Sequence, residues 1–88
     1  MPLVSHNPAT NQVLQAFPEW DAHYLVQALK KTHNTQQVLA QTPFAARAKV
    51  LHQAAIHLRA NNERFAALIT MEMGKLLREA RAEVEKCA

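Results

Sequence analysis

The chain has 88 residues, with ten Lys plus Arg against seven Asp plus Glu, one Gly and one Cys. A chain of this length is at most one small domain, and it buries roughly 60–65% of the surface that its unfolded form exposes, so an apolar face left unpaired is a conspicuous cost. The single glycine, Gly74, excludes the glycine-patterned phosphate cradles, which need several backbone positions free of Cβ, and the single cysteine excludes an internal disulfide and a thiolate zinc site.

Residues 3–17, LVSHNPATNQVLQAF, set apolar and β-branched residues on either side of the turn formers Asn7, Pro8, Asn11 and Gln12, which predicts a short hairpin. Pro18 ends the second strand because it has no N–H to give, and Asp21 is placed to cap a following helix. From Asp21, Leu25, Ala28, Leu29, Thr32 and Leu39 follow a helical period, but the polar run KKTHNTQQ leaves this first helix in need of tertiary support. Thr42-Pro43 marks the next boundary, with Thr42 expected both to stop the first helix and to cap the second, and Pro43 expected at the first helical position.

The second helix places Phe44, Ala48, Leu51, Ala54, Ala55 and Leu58 on one apolar face. Asn61-Asn62 interrupts it and can cap a third helix, whose expected core face is Phe65, Leu68, Ile69 and Met73, with Met71 and Met73 as core filling. Gly74 is expected to close that helix in the left-handed conformation. In the last stretch, LLREARAEVEKCA, Leu77, Ala80, Val84 and Cys87 share one face, and the pattern runs out at Ala88. That suits either a fraying terminal helix or a piece of something longer. The fold class read from the residues is mainly α: a short N-terminal β-hairpin followed by about four helices, with a helical region over 21–88.

Chemistry is sparse on the same reading. His52 and His57 lie about 140° apart around a helix and cannot face one ion, and the other histidines sit in other segments. Cys87 reads as a small packed side chain on the apolar face of the last helix, not a nucleophile. Glu79, Glu83 and Glu85 are interleaved with Arg78, Arg81 and Lys86, as on a solvated, salt-bridged face. The aromatic residues are too scattered for a nucleic-acid stacking platform, and the mild excess of positive charge in residues 43–88 is weak support for an anionic partner. The start, MPLVSHNPAT, lacks the pattern of a secretory signal, and no run of about 18 apolar residues occurs, so the expectation is a cytoplasmic chain with no membrane and no nucleic-acid partner. No catalytic constellation emerges.

Whole phrases carry more. Asn7-Pro8-Ala9-Thr10 with Val13 and Phe17-Pro18 resembles the N-terminal hairpin of the aldehyde dehydrogenases, usually written N-P-A-T-G-E-V. Thr42 to Ala48, TPFAARA, resembles the start of that family's second helix. ITMEMGK, Ile69 to Lys75, followed by EARAEVEKCA, Glu79 to Ala88, is similar to the succinate-semialdehyde dehydrogenase branch. Two departures stand out: Asn11-Gln12 replaces Gly-Glu, which Asn tolerates at positive φ, and Leu76 stands where the family often has Pro.

The resemblance implies a parent enzyme oxidising an aldehyde, with succinic semialdehyde favoured, to the carboxylic acid with NAD or NADP. It implies further that residues 1–88 form the N-terminal part of the coenzyme-binding domain of an α/β fold, truncated before the catalytic and nucleotide-loop regions. On that basis the chain alone holds no catalytic and no coenzyme-binding residues and is inactive. Cys87 matches a helix cysteine and not the nucleophile, and the partners are the remainder of the chain and, for the parent, further copies in a homo-oligomer. A monovalent cation held by some relatives would fall near Ser5, His6 and Glu72, with backbone carbonyls supplying most ligands. The alternative to a fragment is a stand-alone helical interaction module that closes a homodimer through its apolar faces.

Overall fold

The computed structural model describes residues 2–88. Two antiparallel strands, β1 (Leu3–His6) and β2 (Val13–Phe17), precede four helices, α1 (Ala22–Gln41), α2 (Phe44–Ala60), α3 (Asn62–Met73) and α4 (Leu77–Cys87). This is the fold class expected from the residues.

The hairpin pairs Leu3 with Phe17, Val4 with Ala16 and Ser5 with Gln15, and an irregularity between Ser5 and His6 lets His6 meet Val13. Its turn is built from local bonds. The Asn7 side chain accepts from the Ala9 N–H at 2.9 Å, and the Asn11 N–H donates to the Asn7 carbonyl at 2.7 Å. Asn11 takes φ 60°, a left-handed conformation that Asn adopts at little cost.

Asp21 caps α1, its carboxylate accepting from the Tyr24 N–H at 2.7 Å. Trp20 and Tyr24 then meet edge to face with ring centroids 4.5 Å apart. Beyond its cap the helix is on its own: none of its residues is buried and it packs against no other element among the described residues. A helix held by local terms alone responds to a local change, since caps are worth about 1 kcal/mol. Asp21→Ala should therefore lower helical content by circular dichroism while leaving the main unfolding transition in place.

Thr42 departs from expectation. It is the C-cap of α1, its N–H bonding back to Leu39 and its hydroxyl to the Val38 carbonyl at 3.0 Å. With the hydroxyl turned backward it cannot cap α2, and Pro43 takes the N-cap position itself with no side-chain bond. Asn61 likewise turns back, its amide donating to the His57 carbonyl at 2.9 Å, while Asn62 enters α3 and donates to the Arg81 carbonyl on α4 at 3.2 Å.

The core lies between α3 and α4: Ala66, Ala80 and Val84 are buried, with Leu58, Phe65 and Ile69 packed around them. The face of α3 is thus centred one residue from the expected one. Leu68 is 43% exposed and Met73 75% exposed, because α4 approaches over the small Ala66 and not over the large residues beside it. On α2 only Ala48, Ala55 and Leu58 are partly covered, whereas Phe44 is 78% and Leu51 73% exposed. Cys87 is exposed too, one turn past the last residue of α4 that a neighbour covers.

The resulting shape is a slab of 46 × 35 × 13 Å. The radius of gyration is 17.4 Å, where a compact chain of this length has about 12 Å. Accessible surface is 7525 Å², against about 5,200 Å² for a compact monomer of this mass. Domains need two packed layers, and the described residues supply one.

Candidate functional site

The hairpin meets the helices at one junction, where β1 runs beside the C-terminal end of α3. Ser5 Oγ donates to Glu72 Oε1 at 3.1 Å. Gly74, at φ 72°, ψ 14°, closes α3 in the left-handed conformation and its N–H bonds to the Thr70 carbonyl at 2.9 Å. A Cβ at Gly74 would lie 3.2 Å from Cγ of Pro8 in the hairpin turn, so the glycine also permits the close approach. Of the three residues that the cation expectation named, the structure brings Ser5 and Glu72 together. His6 lies on the same strand, exposed, just past the irregularity.

After Gly74 the chain runs through Lys75 and Leu76 into α4. Leu76 has φ −59° and ψ 138°, and its carbonyl accepts from Glu79 and Ala80. Its own N–H makes no backbone bond among the described residues, so proline fits there without strain. Leu76→Pro should raise stability by about 0.4–1 kcal/mol through the unfolded chain, read as a higher midpoint in denaturant.

The charged residues of α4 do form a solvated ion-paired face, but their partners lie on other elements. Arg81 grips Glu63 of α3 through two bonds of 2.8 and 3.0 Å. Arg59 of α2 reaches Glu85 at 2.9 Å, and Lys75 reaches Glu83 at 2.6 Å. The bond and the charge of Glu83 raise the Lys75 ammonium above the ordinary lysine range. A raised lysine stabilises the fold fully below its unfolded pKa, and that contribution fades as pH climbs through the folded value. Lys75→Gln should therefore lower stability slightly at neutral pH, with the difference from the parent chain vanishing in strong alkali, as read from denaturant midpoints across pH. The effect is small because both groups are solvated.

No group of three or more His, Cys, Asp or Glu among the described residues could hold a metal ion. Cys87 lines a shallow groove with Lys75, Glu79, Glu83 and Lys86. No helix is long and apolar enough to cross a membrane.

A second concave feature among the described residues lies where α1 gives way to α2. Leu39 and Thr42 from one side and Phe44, Ala48, Val50 and Leu51 from the other line an open apolar hollow of ≈ 450 Å³. Arg47 lies in the same wall, its guanidinium carbon 5.9 Å from the centre of the Phe44 ring. Periodicity in the sequence places Phe44 and Leu51 on one apolar face without saying what covers it. The signal that it is not this chain's own core is electrostatic: no Asp or Glu occurs between Asp21 and Glu63, while five cations do.

A single layer of helices, a hairpin latched to it and no reactive constellation among the described residues describe a part of a fold, and comparison with known proteins says which. The aldehyde dehydrogenase family model matches residues 2–88, and the chain belongs to that family. It is 39% identical over all of its length to a protein of Synechocystis sp. named as a probable succinate-semialdehyde dehydrogenase [NADP(+)]. It is 36% identical, again over its whole length, to succinate-semialdehyde dehydrogenase [NADP(+)] 1 of Mycobacterium tuberculosis. To the succinate-semialdehyde dehydrogenase [NADP(+)] of Deinococcus radiodurans it is 32% identical over 99% of the chain. The chain spans about one fifth of the length of these relatives, 19, 19 and 18% respectively.

Proposed function

We propose that this chain is the N-terminal segment of an NADP-dependent aldehyde dehydrogenase that oxidises succinic semialdehyde to the carboxylic acid, and that its role there is structural. The single observation that carries the structural role is the missing second layer. About 2,300 Å² of surface beyond the compact expectation is left open, most conspicuously on α1 and α2. That is the size of an obligate interface, so the rest of the enzyme covers it. The names of the relatives support the substrate and the coenzyme. The thiolate, the activating glutamate and the coenzyme loop belong to the remainder of the parent, a cytoplasmic homo-oligomer.

The hairpin junction has a second part in this reading. A hydroxyl, a carboxylate and the carbonyls of an irregular strand are the hard oxygen donors that suit a hard cation. Ser5 and Glu72 would hold it with their side chains and His6 with its carbonyl, since an imidazole suits softer metals. The ion would supply positive charge that ties β1 to α3.

The test is a transplant. Residues 1–88 replace the matching segment of the Synechocystis relative, and reduction of NADP by succinic semialdehyde is followed for the chimera and for the isolated chain. Turnover by the chimera and none by the isolated chain is expected. Turnover by the purified isolated chain, or a folded chimera with none, overturns the proposal.

A further inference from the structure

The wall of the hollow between α1 and α2 combines an apolar surface with one permanent charge. Arg47 is exposed, stacks on Phe44, and makes no hydrogen bond or ion pair through its side chain among the described residues. Guanidinium does not lose its proton in proteins, so a layer placed over this wall must either leave a path to water or bring an anion. No carboxylate pairs with Arg47 among the described residues: residues 22–62 contain none, and Glu63, Glu83 and Glu85 are engaged with Arg81, Lys75 and Arg59.

We propose that this hollow docks an apolar segment from the remaining four-fifths of the parent enzyme, and that this segment carries a carboxylate which pairs with Arg47. The inference rests on the reading of the chain as one layer of a larger aldehyde dehydrogenase. Phe44, Ala48 and Leu51 receive the apolar side chains, and the fork of Arg47 donates two hydrogen bonds to the carboxylate in a bidentate pair that fixes the register of the two layers. A second copy of the chain does not meet the same requirements. A two-fold contact through this face sets Arg47 against Arg47 and brings together two arms that each carry five cations and no acid.

The experiment titrates the 88-residue chain into three fluorescent amphipathic helical peptides that share a Leu/Ala face and differ only at one central residue, Glu, Gln or Lys. Anisotropy should show the Glu peptide binding about ten-fold tighter than the Gln peptide, the scale of one charge-assisted pair. The Lys peptide should bind weakest. Arg47→Gln should erase the preference for Glu while keeping residual binding, Arg47→Lys should keep part of it, and Phe44→Ala should weaken all three peptides. Circular dichroism checks that each variant keeps the helices.

Equal affinity for Glu and Gln peptides overturns the proposal. So does a reversible dimer in sedimentation that Leu51→Glu dissociates, which makes a second copy the occupant. Arg47-dependent binding of heparin or anionic vesicles with no preference among the peptides overturns it in favour of a polyanion or a lipid surface. In the active chimera, Arg47→Gln should lower the melting temperature and Arg47→Lys should restore part of it. No change on Arg47→Gln there also overturns the proposal. An active chimera with indifferent peptides sinks this inference alone, whereas an inactive folded chimera sinks the functional reading beneath it.

Discussion

Ala80→Leu should abolish the cooperative unfolding transition of the isolated chain. Ala66 on α3 and Ala80 on α4 are both fully buried, and the two helices meet across them. Extra methylenes in such a contact force the helices apart at a cost of about 1–3 kcal/mol. A chain that leaves so much of its surface in water holds little stability in reserve, so an effect of this size is decisive. Thermal melts by circular dichroism read it directly, with Val84→Ala as a milder companion that loses packing without adding bulk. An unchanged melting curve for Ala80→Leu would mean that α3 and α4 do not close on each other as described.

Gly74→Val comes next in expected size. At φ 72° a side chain crowds the backbone, which costs about 1–2 kcal/mol for an ordinary residue and more for a β-branched one. The new Cβ would also meet Cγ of Pro8 at 3.2 Å, so the hairpin turn must give by a few tenths of an ångström beside the Ser5–Glu72 bond. These two effects separate by mutation. Gly74→Asn relieves the backbone term but keeps the collision, and Pro8→Ala removes the atom that is struck. The expected order of denaturant midpoints is Gly, then Asn, then Ala, then Val. Gly74→Ala should cost less in a Pro8→Ala background, a coupling measured by the double-mutant cycle. Strict additivity would show that the close approach of hairpin and helix is not maintained in solution.

Residues that act within one turn of their own position were legible. Asp21 caps the helix that follows it, Asn11 takes the positive φ of the hairpin turn, and Gly74 closes α3 as its place after the periodic residues predicts. Each is a bond or a steric allowance between near neighbours, and the chain carries that information locally. Thr42 shows the limit of the same logic. Its hydroxyl can serve the helix behind or the helix ahead, and the backward bond to Val38 wins.

Burial was not legible in the same way. Periodicity shows that Phe44 and Leu51 share a face, but a face becomes a core only when something covers it, and nothing among the described residues covers this one. Cys87 was assigned to the interior by its place on the stripe of Leu77, Ala80 and Val84, yet only Ala80 and Val84 have a helix over them. On α3 the large residues drew attention away from Ala66, the small one that lets α4 approach.

The sequence by itself determined the hairpin, the four helices, most of their ends and the family, because these depend on short-range bonds and on phrases of contiguous residues. The tertiary structure decided which residues are buried, that Ser5 and Glu72 meet across 67 positions, and that α1 and most of α2 stand open. Burial is a property of two surfaces, and the periodicity of one of them does not state where the other lies.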